Sequence, residues 1–332
     1  MGIILINCYA ARMNLRRTPL VIAITLVLAL ASAASCSSTD SSSDSAASAI
    51  PQVAVAFYPI QEIVDSVAGD TVRVNDLTPP GQSPHDYELT PEQVAELSNA
   101  KAVFYLGQGF QPQLEAAVKK LDDSVLKVDL LDSVDLLPVV EQLPGTSGET
   151  DGEVLSSGMD PHIWVSPNNM AAMTNTVSET LKKILPEDSA SFTSAASAYE
   201  SKMTELADSF RGGLTTCESR TIVTSHRAFA YLAADYGLTQ VSIAGITPEI
   251  EPDPQTLIAV AEKAKADNVT TIFFENNLPP RLSETIAREI GADTDVLDPI
   301  ESVTEEQLSA GDTYSSIQQG NLSSLQKGLR CA

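Results

Sequence analysis

The chain has 332 residues and a formal net charge of −24, with 44 acidic residues against 20 basic ones. This excess of acidic residues excludes a nucleic-acid-binding protein, which needs a basic surface to meet phosphate groups. An acidic surface also attracts cations, although charge alone establishes only that copies of the chain repel one another.

The first 35 residues predict a secretory signal peptide. Three arginines at positions 12, 16 and 17 precede an apolar run over residues 19–34, which is too short and wrongly flanked for a stable membrane span. Ala33-Ala34-Ser35-Cys36 is similar to the lipobox of bacterial lipoproteins, although Ala33 stands where leucine is usual. We therefore expect a lipid on Cys36 that anchors the exported chain to the cell membrane. Cleavage by an ordinary signal peptidase is the alternative.

Residues 36–50 are almost entirely Ser, Ala, Asp and Thr, a composition that predicts a flexible tether. Loss of residues 1–35 removes three arginines and no acid, so the charge moves from −24 to −27. It also removes Cys8, and Cys36 would carry the lipid, which leaves Cys217 and Cys331. Two thiols in an exported domain predict a disulfide, with two free thiols as the alternative. Zinc ligation by this pair is disfavoured because no CxxC spacing exists. Met13 is a second candidate start of the chain.

About 280 residues follow the tether, enough for two lobes. Short β-rich runs alternate with helical stretches in both halves, which predicts α/β lobes with mainly parallel sheets flanked by helices. We place an N-terminal lobe at 51–186, a linking helix at 187–213 and a C-terminal lobe at 214–332. The predicted strands are Gln52–Phe57, Thr71–Asp76, Ala102–Leu106, Leu126–Asp129, Thr221–Thr224, Leu238–Ile243, Thr270–Phe274 and Thr294–Leu297. The predicted helices of the lobes are Ile60–Val67, Pro91–Asn99, Gln113–Lys120, Ala228–Tyr236, Pro254–Ala266, Pro280–Ile290 and Tyr314–Lys327.

The linking helix is predicted from a long stretch without proline, Glu187–Gly212, which ends at a glycine pair typical of a helix C-terminus. Its apolar residues recur at helical intervals: Phe192, Ala196, Tyr199, Met203, Leu206 and Phe210. About 24 residues of helix span roughly 36 Å. This element is expected to join the two lobes.

The chain contains only three histidines, His85, His162 and His226, and each follows an apolar or turn-rich segment. In open α/β sheets, ligands bind beyond the carboxyl ends of the strands. Asp298 stands at the end of a predicted strand and is a candidate oxygen ligand, with a helix cap as the alternative. Three imidazoles and one carboxylate make a tetrahedral zinc site. The alternative is three unrelated hydrogen-bonding histidines.

Six segments carry a family resemblance, and they occur in the family's order. They are Gly81–Pro91 (GQSPHDYELTP), Met159–Trp164 (MDPHIW), Val223–Phe229 (VTSHRAF), Ala244–Pro252 (AGITPEIEP), Ile272–Asn276 (IFFEN) and Leu297–Ile300 (LDPI). Over residues 50 to about 330 the chain resembles the metal-binding lipoproteins of bacterial ABC importers for zinc and manganese. The resemblance implies two α/β lobes bridged by one rigid helix, with His85, His162, His226 and Asp298 as metal ligands.

The resemblance also implies the function: capture of a divalent metal outside the membrane and delivery to a cognate permease and its ATPase. Members directed at manganese tend to carry glutamate where this chain has His226. We therefore expect zinc, bound as cargo and not as a catalytic cofactor, with manganese as the alternative. The histidine-rich loop common in zinc-directed members is absent from Pro144–Ser157, which is acidic instead. We expect a monomer.

An extracellular zinc hydrolase is the alternative from another functional class. Four protein ligands leave no open position for a reactive water, and no HExxH element occurs in the chain. A secondary adhesive role is a third interpretation, and no adhesive repeat supports it. Glu249 and Glu251 are interpreted as a loop or a cleft rim. Glu275 is either a hydrogen-bonding partner of a ligand histidine or an ordinary helix cap, and Trp164 is expected to pack beneath His162.

Overall fold

The structure is a computed structural model that describes residues 50–140, 143, 155–249 and 251–332. The predicted signal peptide, Cys36 and nearly all of the tether lie outside the described residues, as does most of the acidic Pro144–Ser157 segment. From Ile50 onward the chain belongs to one compact unit. In the described part, no helix is both long and apolar enough to cross a bilayer.

Two four-stranded parallel sheets form the frame of the molecule, as the sequence predicted. In each sheet the first strand along the chain lies between the second and the third. The first sheet, in the order β2-β1-β3-β4, consists of β1 (Gln52–Val55), β2 (Arg73–Asp76), β3 (Ala102–Tyr105) and β4 (Leu126–Asp129). The second sheet, in the order β6-β5-β7-β8, consists of β5 (Thr221–Thr224), β6 (Thr239–Ser242), β7 (Thr271–Phe274) and β8 (Asp293–Val296). We call the parts built on these sheets the first lobe and the second lobe.

Helices flank both sheets. They are α1 (Tyr58–Ala68), α2 (Pro91–Glu96), α3 (Pro112–Val118), α4 (Pro167–Ile184), α5 (Ser189–Gly213), α6 (Ala230–Tyr236), α7 (Pro254–Ala266), α8 (Arg281–Ile290), α9 (Glu305–Ala310) and α10 (Tyr314–Gly328). The helix predicted over 91–99 ends earlier, because residues 97–99 form a 3₁₀ turn. Helices α4 and α9 are not among the predicted helices.

The long helix α5 is the predicted linking element. Its 25 residues span about 37 Å, and all six residues predicted for its apolar face are buried. It packs against α1 and α4 of the first lobe and against α10 of the second. A helix that contacts both lobes along its length resists a wide hinge motion between them.

A disulfide joins Cys217, just after α5, to Cys331, just after α10, across 114 positions of sequence. The predicted pairing is confirmed. In the chain-entropy view, closing a loop of this length stabilises the fold by about 4–5 kcal/mol. The bond fastens the C-terminus of the chain to the end of the linking helix.

The largest buried side chains belong to a hydrophobic cluster that contains residues of both lobes and of α5. Trp164, Phe57 and Tyr314 are all less than 2% exposed in this cluster. A smaller cluster lies in the second lobe around Val223, Ile272 and residues of α7 and α8. The two lobes therefore share a core and do not meet only at their surfaces.

Candidate metal site

The three histidines lie in loops that meet between the sheets. His85 is in the loop after β2, His162 immediately precedes a 3₁₀ turn that leads into α4, and His226 lies in the turn after β5. All three are buried, with exposed fractions of 3%, 0% and 0%. The structure brings together the three histidines that the sequence singled out.

A glutamate completes this group. The Nε2 atoms of the histidines lie close to Oε1 of Glu301, at 2.9 Å for His226, 3.3 Å for His85 and 3.5 Å for His162. The Nε2 atoms of His162 and His226 are 3.3 Å apart. One potential ligand atom from each of the four residues lies within 4.8 Å of all the others.

These separations suit four ligands around one small cation. Zinc binds imidazole nitrogen and carboxylate oxygen at about 2.0–2.2 Å, so the atoms of a tetrahedral set lie about 3.3–3.5 Å apart. The three distances from Oε1 of Glu301 to the histidines and the distance between the Nε2 atoms of His162 and His226 are 2.9–3.5 Å, and no two ligand atoms of the group are more than 4.8 Å apart. Three nitrogens with one carboxylate oxygen form a borderline-soft set that suits zinc better than the oxygen-rich sites preferred by manganese. The geometry and the donor types therefore fit zinc.

Asp298, predicted as the fourth ligand, lies outside the group formed by the histidines and Glu301. Its Oδ1 accepts a hydrogen bond of 2.8 Å from the backbone N–H of Ile300. Its Oδ2 accepts from the side chains of Asn276 and Gln307, at 3.2 and 3.1 Å. The carboxylate is thus used to shape the turn that follows β8. The structure corrects the sequence prediction here, because Glu301 stands beside the histidines in place of Asp298.

The backbone at Ile300 explains how Glu301 reaches the histidines. Ile300 has a φ of 57°, in the left-handed region that a β-branched residue rarely adopts. Such a conformation costs about 1–3 kcal/mol and is held here by burial of the side chain and by the hydrogen bond to Asp298. No pattern in the sequence predicts a left-handed backbone at this isoleucine. The position of Glu301 beside the histidines could therefore not be predicted from the sequence.

Two further carboxylates orient the imidazoles. Oδ1 of Asp160 lies 2.9 Å from both the backbone nitrogen and Nδ1 of His162. Oε1 of Glu275, directly after β7, lies 2.6 Å from Nδ1 of His226. Each contact directs the Nε2 atom of its histidine toward the centre of the cluster. Glu275 thus occupies the first of the two roles considered for it, and carboxylate partners of this kind fix the ring and raise its basicity as a ligand.

Aromatic rings form the wall on the first-lobe side. Trp164 lies beneath His162 with ring centroids 5.1 Å apart, as expected, and Phe110 meets the ring of His85 edge-on at 5.1 Å. The indole N–H of Trp164 donates to the carbonyl of Pro299 at 2.9 Å, next to the turn that presents Glu301. This packing restricts both histidine rings and the facing turn.

A small cavity of about 50 Å³ reaches Glu301 and is lined mostly by residues of the second lobe. Glu249, Glu275 and Asp298 line it, together with Gln82 from the first lobe. Glu249 therefore stands at the rim of the cleft, one of the two roles considered for it. Glu251 points elsewhere, and its carboxylate lies 3.3 Å from the guanidinium of Arg281.

Opposite charges shift the pKa values at the centre of the site. Burial lowers the pKa of His226, but the carboxylates of Glu275 and Glu301 outweigh it and hold that pKa well above 6.5. Burial raises the pKa of Glu301, but the neighbouring His226 and His85 outweigh it and hold that pKa well below 4.5. Near neutral pH the metal-free site therefore holds a protonated His226 against an ionised Glu301.

We expect zinc binding at neutral pH to release at least one proton, because only neutral imidazole binds metal. Since His226 keeps its proton above pH 6.5, the apparent affinity should already fall at a higher pH than for an ordinary histidine. The expected slope is about tenfold per pH unit for each proton displaced. Calorimetry in buffers of different ionisation enthalpy measures this release. In Glu275→Gln the loss of affinity should begin at lower pH, and zinc binding without proton release at pH 7 would contradict the account.

The same pair affects the stability of the metal-free fold. The contribution from the raised pKa of His226 is complete below about pH 6.5 and is lost as the pH rises through that raised pKa. The contribution from the lowered pKa of Glu301 is complete above about pH 4.5 and is lost as the pH falls through that lowered pKa. Both contributions are therefore present near pH 6.

A comparison with known proteins assigns the family. The model of the family described as "Zinc-uptake complex component A periplasmic", ZnuA, matches residues 53–328. The chain belongs to the ZnuA family. The resemblance seen in the sequence is confirmed, and so is the two-lobed α/β fold.

Relatives in the ZnuA family are named for zinc. The chain is 33% identical over 276 residues to "Zinc-binding lipoprotein AdcA" of Streptococcus pneumoniae, covering 83% of this chain and 55% of that protein. It is 30% identical over 278 residues to "High-affinity zinc uptake system protein ZnuA" of Bacillus subtilis, covering 83% of this chain and 87% of that protein. The chain thus spans only about half the length of the AdcA proteins that it matches.

A solved structure also resembles this fold. The Zn(II)-bound ZnuA-like domain of Streptococcus pneumoniae AdcA superposes with a TM-score of 0.71 at 32% identity. The match covers 84% of this chain and 98% of that domain. The part of AdcA to which the chain corresponds is therefore its ZnuA-like domain.

Proposed function

We propose that this protein captures a zinc ion outside the membrane and delivers it to an ABC importer. The observation that carries the proposal is the buried convergence of three Nε2 atoms on Oε1 of Glu301, with separations that suit tetrahedral zinc. The ligands are His85, His162, His226 and Glu301. Zinc is the transported cargo in this proposal and has no catalytic part.

The division of the ligands between the lobes supports capture and release. His85 and His162 belong to the first lobe, whereas His226 and Glu301 belong to the second. A cation between them is held by both lobes, and a small relative movement of the lobes separates one pair of ligands from the other. Asp160 and Glu275, which hydrogen-bond to the imidazoles of His162 and His226, are divided between the lobes in the same way.

The arrangement favours binding over catalysis. With four protein ligands, a tetrahedral zinc ion has no position left for a reactive water. The carboxylates nearest the cluster, Asp160 and Glu275, are engaged with ligand imidazoles and are not directed at a substrate-sized space. The cavity at Glu301 holds only about 50 Å³.

The proposal also covers how the protein is anchored and which partners receive the metal. The lipobox-like sequence before Cys36 supports a lipid anchor, and a relative named as a lipoprotein agrees with it. The partners proposed are a cognate permease and its ATPase, to which a monomer of this chain delivers the metal. Manganese is the alternative cargo, disfavoured by the three nitrogen ligands.

Uptake of radiolabelled zinc by zinc-starved cells tests the function. Cells that lack this chain should take up zinc slowly, and the wild-type chain should restore uptake while His226→Ala should not. Unlabelled zinc should compete, and the same concentration of manganese should not. A Glu251→Gln variant, altered at an exposed carboxylate away from the cluster, serves as the matched control. Restoration of uptake by His226→Ala would contradict the proposal, and so would manganese competition equal to that of zinc.

A further inference from the structure

The hydroxyl of Tyr231, a residue of the second lobe, forms hydrogen bonds with two backbone groups of the first lobe. Tyr231 lies on α6 of the second lobe and is 4% exposed. Its oxygen accepts a hydrogen bond of 3.0 Å from the N–H of Leu137, and its O–H donates to the carbonyl of Asp160 at 2.8 Å. Both of these residues belong to the first lobe.

The same two first-lobe residues are also joined directly. The N–H of Asp160 donates to the carbonyl of Leu137 at 2.8 Å, and Pro138 and Met159 form an antiparallel bridge beside them. The Tyr231 hydroxyl therefore closes a ring of three hydrogen bonds at the end of this pairing. It takes the place of a direct bond between the N–H of Leu137 and the carbonyl of Asp160.

This ring bears on the metal site through Asp160. The Oδ1 atom of Asp160 holds both the backbone and Nδ1 of His162, whereas its buried Oδ2 has no hydrogen-bond partner among the described residues. No hydrogen bond from a described residue to Oδ2 therefore helps to place this carboxylate. Its position depends on its backbone, which the Tyr231 ring fixes, and on His162 itself.

We propose that Tyr231 is a positioning residue that fixes His162, a first-lobe ligand, to the second lobe, and that it thereby slows metal release. The inference rests on the proposed function, since it takes His162 as a ligand. Release requires the first-lobe ligands to separate from His226 and Glu301. The Tyr231 hydroxyl resists this separation through its hydrogen bond to Asp160, two residues before His162.

Removal of the hydroxyl alone should leave the lobes joined. Asp235, also on α6, accepts hydrogen bonds from Ser166 at 2.5 Å and from Asn168 at 3.0 Å. Arg227 donates to the carbonyl of Val140. A Tyr231→Phe variant keeps the aromatic ring of the side chain and all of these contacts between the lobes, so it is expected to fold.

Tyr236 supplies the matched control. It lies on the same helix, is 7% exposed, and stacks on Phe210 with ring centroids 5.2 Å apart. Its buried hydroxyl has no hydrogen-bond partner in the described part of the chain. Tyr236→Phe therefore removes the same atom from a similar setting without touching the route to His162.

The experiment measures zinc release from the purified full chain into excess chelator. Tyr231→Phe should release zinc about tenfold faster than wild type, at the low end of what outer partners of metal ligands contribute, and Tyr236→Phe should match wild type. The cobalt(II) absorption spectrum should change in Tyr231→Phe alone, because it reports ligand geometry. In an Asp160→Ala background, Tyr231→Phe should add less than about a twofold change, since its effect passes through Asp160.

Equal release from wild type and Tyr231→Phe would overturn the inference, as would equal effects of the two tyrosine variants or an undiminished effect in Asp160→Ala. Hydrogen exchange of the wild-type Leu137 amide needs no variant. Slow exchange supports the contact with Tyr231, and exchange as fast as in an open loop overturns it. A wild-type chain that binds no zinc would defeat the proposed function as well, whereas zinc-binding wild type with an unaffected Tyr231→Phe defeats this inference alone.

Discussion

Glu301→Gln is expected to weaken zinc binding by more than about 100-fold. The change keeps the shape of the side chain but removes the negative charge from the one carboxylate of the described residues that lies within 3.5 Å of the Nε2 atoms of all three histidines. Loss of a group that merely supports a ligand costs about 10–100-fold in metal affinity, so loss of a ligand charge should cost more. Competition titration with a chromogenic chelator at pH 7.5 measures the affinity.

Asp298→Asn is the matched comparison, since it is the same carboxylate-to-amide change three positions earlier. Its Oδ1 can still accept from Ile300, whereas the new amide meets the amide groups of Asn276 and Gln307. We expect a loss of affinity of about tenfold or less, transmitted through the turn. If Asp298→Asn costs more than Glu301→Gln, with melting temperatures alike, then Asp298 is the fourth ligand and the assignment of Glu301 is wrong.

His226→Glu is expected to move the preference from zinc toward manganese by about tenfold or more, because it exchanges a nitrogen ligand for a hard oxygen. Competition of the two metals for the stripped protein, followed by metal analysis, measures the ratio. The structure adds a second expectation. The introduced carboxylate would meet Glu301 and Glu275, which lie 2.9 and 2.6 Å from the present imidazole nitrogens. The metal-free variant should therefore be less stable than wild type, and bound metal should restore more of its stability.

A combined His226→Glu, Glu275→Gln variant separates these two effects. Removal of the Glu275 charge relieves the repulsion in the metal-free protein while the oxygen ligand remains. Its melting temperature without metal should rise toward that of wild type, and its preference for manganese should persist. An unchanged zinc-to-manganese ratio in both variants would show that residue 226 does not set the choice of metal.

The parallel sheets and the linking helix could be predicted because their signals are local. Short β-rich runs alternate with helical stretches, and the apolar face of α5 recurs at helical intervals without an interrupting proline. Helix α4 was missed because its buried face is not uniformly apolar. Thr174, Ser178 and Thr180 are buried there beside Met170, Met173 and Val177. Small polar residues of this kind satisfy their hydroxyls on the backbone, as Thr174 does on Met170, and they blur the hydrophobic period.

Helix α9 has one local signal in the sequence. Thr304 and Gln307 form a reciprocal capping box at its start, a pattern that is visible in the sequence. With only six residues and no buried side chain, the helix has no apolar period to reinforce that cap. The order of strands within each sheet is a different case, because it depends on contacts between distant segments and not on local composition.

The residues of the metal site also fall into those that the sequence predicts and those that it does not. The histidines could be found because the chain has only three and places each in a loop of one recognisable segment. The fourth position could not, because Asp298 and Glu301 share one turn and the choice between them depends on the left-handed backbone at Ile300. The contact between Tyr231 and Asp160 joins residues 71 positions apart and likewise leaves no local pattern.

Zinc is proposed to bind between the lobes on four side chains. A crystal structure of the zinc-loaded protein, with anomalous data collected on both sides of the zinc edge, would locate the ion. We expect one anomalous peak about 2.0–2.2 Å from Nε2 of His85, His162 and His226 and from a carboxylate oxygen of Glu301. A peak bound by Asp298 instead of Glu301, or one away from the three histidines, would contradict this proposal.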